Sequence, residues 1–185
     1  MKESVKEFIR QNIDLIDTNR WGEYYFNVTK ALGHTHSVFD SEEAVGEMTE
    51  LLLSCGVSPL DYLIRVPEYY LCGSQLETVE LPKSVVSVGS MAFMNMPNLK
   101  HIVFSKKVNV LNFQCVAYCD SLESVVIKSG ECWFDESIFY MCPKLKHVTF
   151  GGTIETWNAR GVILHDATVV CADGKLEYDS RGDVI

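Results

Sequence analysis

The stretch Leu122-Glu123-Ser124-Val125-Val126-Ile127 decides the fold, because it recurs. It returns as Leu76-Glu77-Thr78-Val79-Glu80-Leu81, Leu99-Lys100-His101-Ile102-Val103-Phe104 and Leu145-Lys146-His147-Val148-Thr149-Phe150, with the leading leucines spaced by 23 residues each time. Six residues before each leucine stands Tyr70, Phe93, Val116 or Phe139, and three before it Gly73, Met96, Cys119 or Cys142. Self-similarity at a fixed period of this length is the signature of a stacked-repeat architecture.

Each unit carries β-branched residues at the centre of a short alternating run, which favours a strand. One such strand cannot bury its apolar side alone. Copies stacked about 4.8 Å apart form a parallel sheet over one continuous core. The leucine, the central Val or Ile and the final Leu, Ile or Phe then point inward, and the upstream aromatic column closes the opposite side. The thiols of Cys119 and Cys142 fall in one buried ladder, in van der Waals contact rather than bonded. Pro67, Gly73, Pro82, Gly89, Pro97, Gly130 and Pro143 punctuate the units as turn residues.

The period and the segment Leu81-Pro82-Lys83-Ser84-Val85-Val86-Ser87-Val88-Gly89-Ser90-Met91-Ala92-Phe93 resemble the BspA-type leucine-rich repeat, with its pattern I-P-x-x-V-x-x-I-G-x-x-A-F-x-x-C-x-x-L. Val66-Pro67-Glu68-Tyr69-Tyr70-Leu71-Cys72 looks like the opening of a degenerate first unit. Gly152-Thr153-Ile154-Glu155-Thr156-Trp157-Asn158-Ala159 and Val170-Cys171-Ala172-Asp173-Gly174 are similar to segments that end such arrays. Asn112 and Asp135 depart from the glycine found at Gly89, and Val116 from the aromatic. The resemblance covers about residues 64–178. Together with the two ends, the sequence reads as an α+β chain: an N-terminal helical cap, a leucine-rich-repeat solenoid with a parallel sheet of 23-residue repeats, and a β-hairpin C-cap. The expected domains are a helical lobe over 1–63, the solenoid over 64–150 and the C-terminal β cap over 151–185.

Repeat arrays expose an apolar face at each end and need caps. Val5, Phe8, Ile9, Ile13 and Ile16 recur at helical spacing, as do Trp21, Tyr24, Tyr25, Val28 and Leu32. Asp40 with Glu43 reads as a capping pair for a third helix ending at Gly56, and Ser58-Pro59 opens a fourth. At the other end, Ala167–Cys171 and Lys175–Tyr178 flank Asp173-Gly174, a hairpin signal. Residues 179–185 are expected to fray.

The chain of 185 residues carries 16 basic and 25 acidic side chains, a net charge of −9. The excess sits at the ends. Residues 1–64 hold five basic and eleven acidic groups, 65–150 eight of each, and 151–185 three and six. Such a balance repels phosphate backbones and disfavours direct nucleic-acid binding. No apolar run reaches ~18 residues, so no membrane span is expected. The N-terminus shows no secretory h-region, and seven cysteines is an odd number; both point to a reducing, cytoplasmic setting rather than a disulfide framework.

No phosphate-loop, dinucleotide, nucleophile-elbow or zincin motif occurs. No metal site or cofactor is expected, and His34-Thr35-His36 reads as a polar loop. Outward positions two and four after each repeat leucine form a column: Thr78, Glu80, His101, Val103, Ser124, Val126, His147 and Thr149. His101, Ser124 and His147 lie in one line, which admits a serine–histidine hydrolase as an alternative. The leading expectation is a non-enzymatic protein-interaction module. It would bind a protein partner through that sheet face, or a basic one through an acidic lobe carrying Glu42, Glu43, Glu47 and Glu50. By analogy it could be a phage or bacterial inhibitor of a host or defence protein. Further alternatives are an acidic nucleic-acid mimic and a surface, adhesin-like repeat protein.

Overall fold

The computed structural model describes residues 65–66 and 68–185. The expected helical lobe over 1–63, with its acidic residues Glu42, Glu43, Glu47 and Glu50, lies outside the described residues, as does Pro67.

The chain winds as a β-solenoid in which every turn contributes strands to parallel sheets. The larger sheet holds β2 (Thr78–Glu80), β4 (His101–Phe104), β6 (Ser124–Ile127), β7 (His147–Phe150), β8 (Ala167–Cys171) and β9 (Gly174–Tyr178), in that spatial order. The smaller sheet holds β1 (Arg65–Val66), β3 (Ser87–Val88) and β5 (Val110–Leu111), and a single bridge from Val110 to Trp133 continues it. Pairing in the large sheet matches the repeat: Val79 stands beside Ile102, Ile102 beside Val125 and Val125 beside Val148. A slip of one residue would turn every inward side chain outward, so the buried columns lock the register.

Those columns form the core. Val79, Ile102, Val125 and Val148 are buried, as are Leu81, Phe104, Ile127 and Phe150. Leu99, Leu122 and Leu145 are buried, and Leu76 packs half-buried against the same core. Each such side chain contributes about 1.5–3 kcal/mol relative to exposure.

The first turn differs from the expected register. Leu71 N–H donates to Ala92 O at 2.7 Å, and Phe93 N–H to Cys115 O at 2.8 Å. Leu71, not Tyr70, therefore occupies the place of Phe93, Val116 and Phe139, and Ser74, not Gly73, the place of Met96, Cys119 and Cys142. One residue separates Ser74 from Leu76, whereas two separate Met96 from Leu99, so the first arc is a residue shorter. Tyr70 is still buried. Gly73 instead takes a left-handed position, φ 76°, that recurs at Asn95, Tyr118 and Met141 with φ of 55–56°. Every turn bends there, and the later turns bear the strain of a non-glycine residue, of order 1 kcal/mol.

The substitutions for Gly89 have a polar rationale. Asn112 Nδ2 donates to Val88 O at 2.7 Å, and Asp135 Oδ1 accepts from Ser137 N–H at 2.9 Å. Side-chain hydrogen bonds thus anchor Asn112 and Asp135 at the places that Gly89 takes in its own turn.

The C-terminal end is more continuous with the array than expected. β8 pairs parallel with β7, His147 beside Thr168, before pairing antiparallel with β9. The expected cap strand is thus a fifth parallel rung. The tight turn lies at Ala172-Asp173, since Cys171 pairs with Gly174, one residue earlier than Asp173-Gly174 suggests. A short helix, α1 (Ile154–Asn158), N-capped by Thr153, stands where no helix was expected. It plugs the core with Trp157, whose ring lies 5.7 Å from those of Phe134 and Phe150, and whose Nε1 donates to the Tyr178 hydroxyl at 3.0 Å. Residues 179–185 do not fray. Asp179 O accepts from Gly182 N–H at 3.1 Å, Ile185 N–H donates to Glu177 O at 2.9 Å, and Val184 bridges to Tyr178.

Candidate interaction surface on the six-stranded sheet

Alternation along each strand sends two rows of side chains to the outer face. The first row runs Thr78, His101, Ser124, His147, then Thr168 and Glu177. The second runs Glu80, Val103, Val126, Thr149, then Val170 and Lys175. All eight sheet positions singled out from the sequence therefore share one face, in two unbroken lines. Thr78, Glu80, His101, His147 and Thr149 are exposed, while Val103, Ser124 and Val126 are half-buried between their neighbours.

Sequence reasoning missed the extension of this face onto β8 and β9. Val170 is 48% exposed beside Thr149, which makes it the most open apolar residue in the second row. The signal was available: Ala167-Thr168-Val169-Val170-Cys171 alternates like the repeat strands, but it follows the Leu145 unit at 21 residues rather than 23.

Polar contacts stitch the face together. His101 Nδ1 and Ser124 Oγ share a hydrogen bond at 2.7 Å. His147 flanks Ser124 on the next strand, so the three residues do meet in one line. Among the described residues, Ser124 is the hydrogen-bond partner of the His101 ring, and the pair forms a polar brace across two strands. Lys128 reaches two strands across to Glu80 at 3.3 Å. Along one flank Glu77, Lys100, Glu123 and Lys146 alternate in sign. The Lys100–Glu77 pair closes at 2.9 Å, and the hydrogen bond and charge of Lys100 hold the Glu77 carboxyl below its ordinary range. Both are exposed, and such pairs contribute little to stability. Charge thus rims the face while its middle is neutral polar and apolar. Among the described residues, no group of three or more histidine, cysteine or acidic side chains is placed to hold a metal ion, and no helix is long and apolar enough to cross a membrane.

On the far side of the turns, a groove of about 360 Å³ opens beside Tyr140, Met141, Cys142, Ile163 and His165. Tyr118 and Tyr140 meet edge to face there, with ring centroids 5.5 Å apart.

Stacked 23-residue turns, a leucine ladder and a tryptophan plug define a solenoid of leucine-rich repeats. The family described as "BspA type Leucine rich repeat region" matches residues 60–160 in six copies, and the chain belongs to that family. The crystal structure of a leucine rich cell surface protein from Faecalibacterium prausnitzii A2-165 is similar at 27% identity and a TM-score of 0.45, over 53% of this chain and 32% of that one. This chain thus spans less than half of that protein's length. Comparison with curated protein sequences finds no match. Repeats of this class are typically non-enzymatic and suggest a protein-interaction module.

Proposed function

We propose that the outer face of the six-stranded sheet binds a protein partner, with Thr78, Glu80, His101, Val103, Ser124, Val126, His147 and Thr149 at its centre and Thr168 and Val170 extending it. The observation that carries this reading is the row Val103–Val126–Thr149–Val170, which presents apolar surface where solubility alone calls for none. A rigid strand face holds such side chains at small entropic cost on binding. The charged flank of Glu77, Lys100, Glu123 and Lys146 would orient the partner rather than supply affinity. In this reading the module acts by occlusion, as an inhibitor that covers a functional surface of a host or defence protein, in a reducing, cytoplasmic setting.

Affinity capture at two salt concentrations, with mass spectrometry of the retained protein, supplies the partner. Val126→Asp combined with His101→Ala is then expected to reduce affinity at least a hundredfold. Reversal of Glu42, Glu43, Glu47 and Glu50 should leave it within about threefold. The opposite pattern, with affinity falling steeply as salt rises, would assign the interaction to the acidic region and a nucleic-acid-mimic mode.

A further inference from the structure

Cys119 and Cys142 occupy the same place in consecutive turns. Tyr118 N–H donates to Tyr140 O at 2.8 Å, so the two turns are bonded directly beside the thiols. The Cys119 thiol donates to Phe93 O at 3.2 Å and the Cys142 thiol to Val116 O at 3.3 Å, each reaching one turn back along the stack. The two differ in access. Cys119 is buried together with Cys72, Cys115, Cys132 and Cys171, whereas Cys142 is half-buried and lines the open 360 Å³ groove.

We propose that Cys142 and Cys119 are a redox-modification site, in which a small peroxide entering through the groove oxidises Cys142 and Cys119 resolves it as a disulfide joining the two turns. The neighbouring Cys119 side chain draws the Cys142 thiol below its ordinary range, against the effect of burial, while its own thiol is pushed up. Burial pushes Cys115 and Cys171 up, and Cys132 to about 12. Cys142 thus combines access from the groove with a thiol that ionises more readily than its buried equivalents, the two properties that favour attack on an oxidant.

In the first step the Cys142 thiolate attacks one oxygen of hydrogen peroxide. The O–O bond breaks, a sulfenic acid forms, and the departing hydroxide takes up the proton Cys142 has shed. In the second, the Cys119 sulfur attacks the Cys142 sulfur. The S–O bond breaks and water leaves with the Cys119 proton. Two thiols and one peroxide become one disulfide and two waters. Bonded parallel segments lie about 4.8 Å apart, within the roughly 4.4–6.8 Å between Cα atoms that a disulfide spans. Parallel Cβ vectors at that spacing exceed the usual ~3.8 Å, so closure draws the turns together by under about 1 Å.

The full-length reduced protein, treated with a few equivalents of hydrogen peroxide and digested under acid, tests this. The expected product is a cross-linked peptide pair containing Cys119 and Cys142, lighter by two hydrogens and reversed by dithiothreitol. In Cys119→Ala, the sulfenic acid on Cys142 should persist and be trapped by dimedone, with the far-ultraviolet circular dichroism unchanged. Direct conversion of wild-type Cys142 to sulfinic acid, a disulfide through another cysteine, or unreacted thiols would each overturn the proposal.

Discussion

Leu122 shows what one residue in a repeat column must do. It is fully buried and stacked between Leu99 and Leu145. Leu122→Asp places a charge there without a partner, and the expected loss is several kcal/mol. Urea denaturation checks it; a midpoint within error of the parent would mean that the columns are wrongly registered. Trp157 is a different kind of residue. It fills the end of the core and its indole N–H satisfies the buried Tyr178 hydroxyl. Trp157→Phe keeps most of the aromatic volume and leaves that hydroxyl unpaired, so about 1–3 kcal/mol should be lost. Trp157→Phe in a Tyr178→Phe background should cost distinctly less, because no polar group is then orphaned. The role of Leu122 follows from the sequence alone. The partnership of Trp157 with Tyr178 does not, because they lie 21 residues apart with no periodic relation.

At the scale of elements, the repeat strands were legible because period-two alternation and a 23-residue spacing reinforce each other. The two ends of the array were less so. The first turn is shortened by one residue between Ser74 and Leu76, which sequence columns anchored on the leucine cannot detect. The last parallel strand, β8, follows at 21 residues, and its hairpin signal masked its membership of the parallel sheet. The segment after it owes its order to Asp179, whose carboxylate accepts from the backbone N–H groups of Asp183 and Arg181 at 2.9 and 2.8 Å. These bonds hold the Asp179 carboxyl below its ordinary range. A lowered carboxylate stabilises the folded turn at pH above the ordinary value, and that contribution is lost as pH falls through the lowered one. Hydrogen exchange at Arg181 and Asp183 should therefore accelerate, relative to the intrinsic rate, on acidification below about pH 4. Asp179→Asn should remove most of that pH dependence.

For the whole molecule, the decisive property is one-dimensional stacking. Each turn touches its neighbours and little else, so exposing an end exposes a sheet edge and a core cross-section together. Deletion of residues 167–185 would strip β8 and β9 from the edge of β7 and remove Tyr178 from Trp157. That truncated protein should associate into large species by light scattering at concentrations where the parent stays uniform. A soluble, uniform truncation product would show that the β7 edge is otherwise protected. The same stacking brings residues from six strands into one face, which is why a candidate binding surface can exist without a sequence motif.

The amino-acid sequence by itself determined the repeat length, the inward columns, the sheet and the eight outward positions, because local alternation and a fixed period are short-range properties written in the order of residues. Only the tertiary structure decided where the array departs from its period, that the face continues through Thr168 and Val170, and that Trp157 closes the core. It also decided that Cys142 opens to a groove while Cys119, its equivalent one turn earlier, does not. Period cannot distinguish those two cysteines. Their difference comes from which turn is covered by a successor, and coverage is a property of the assembled stack.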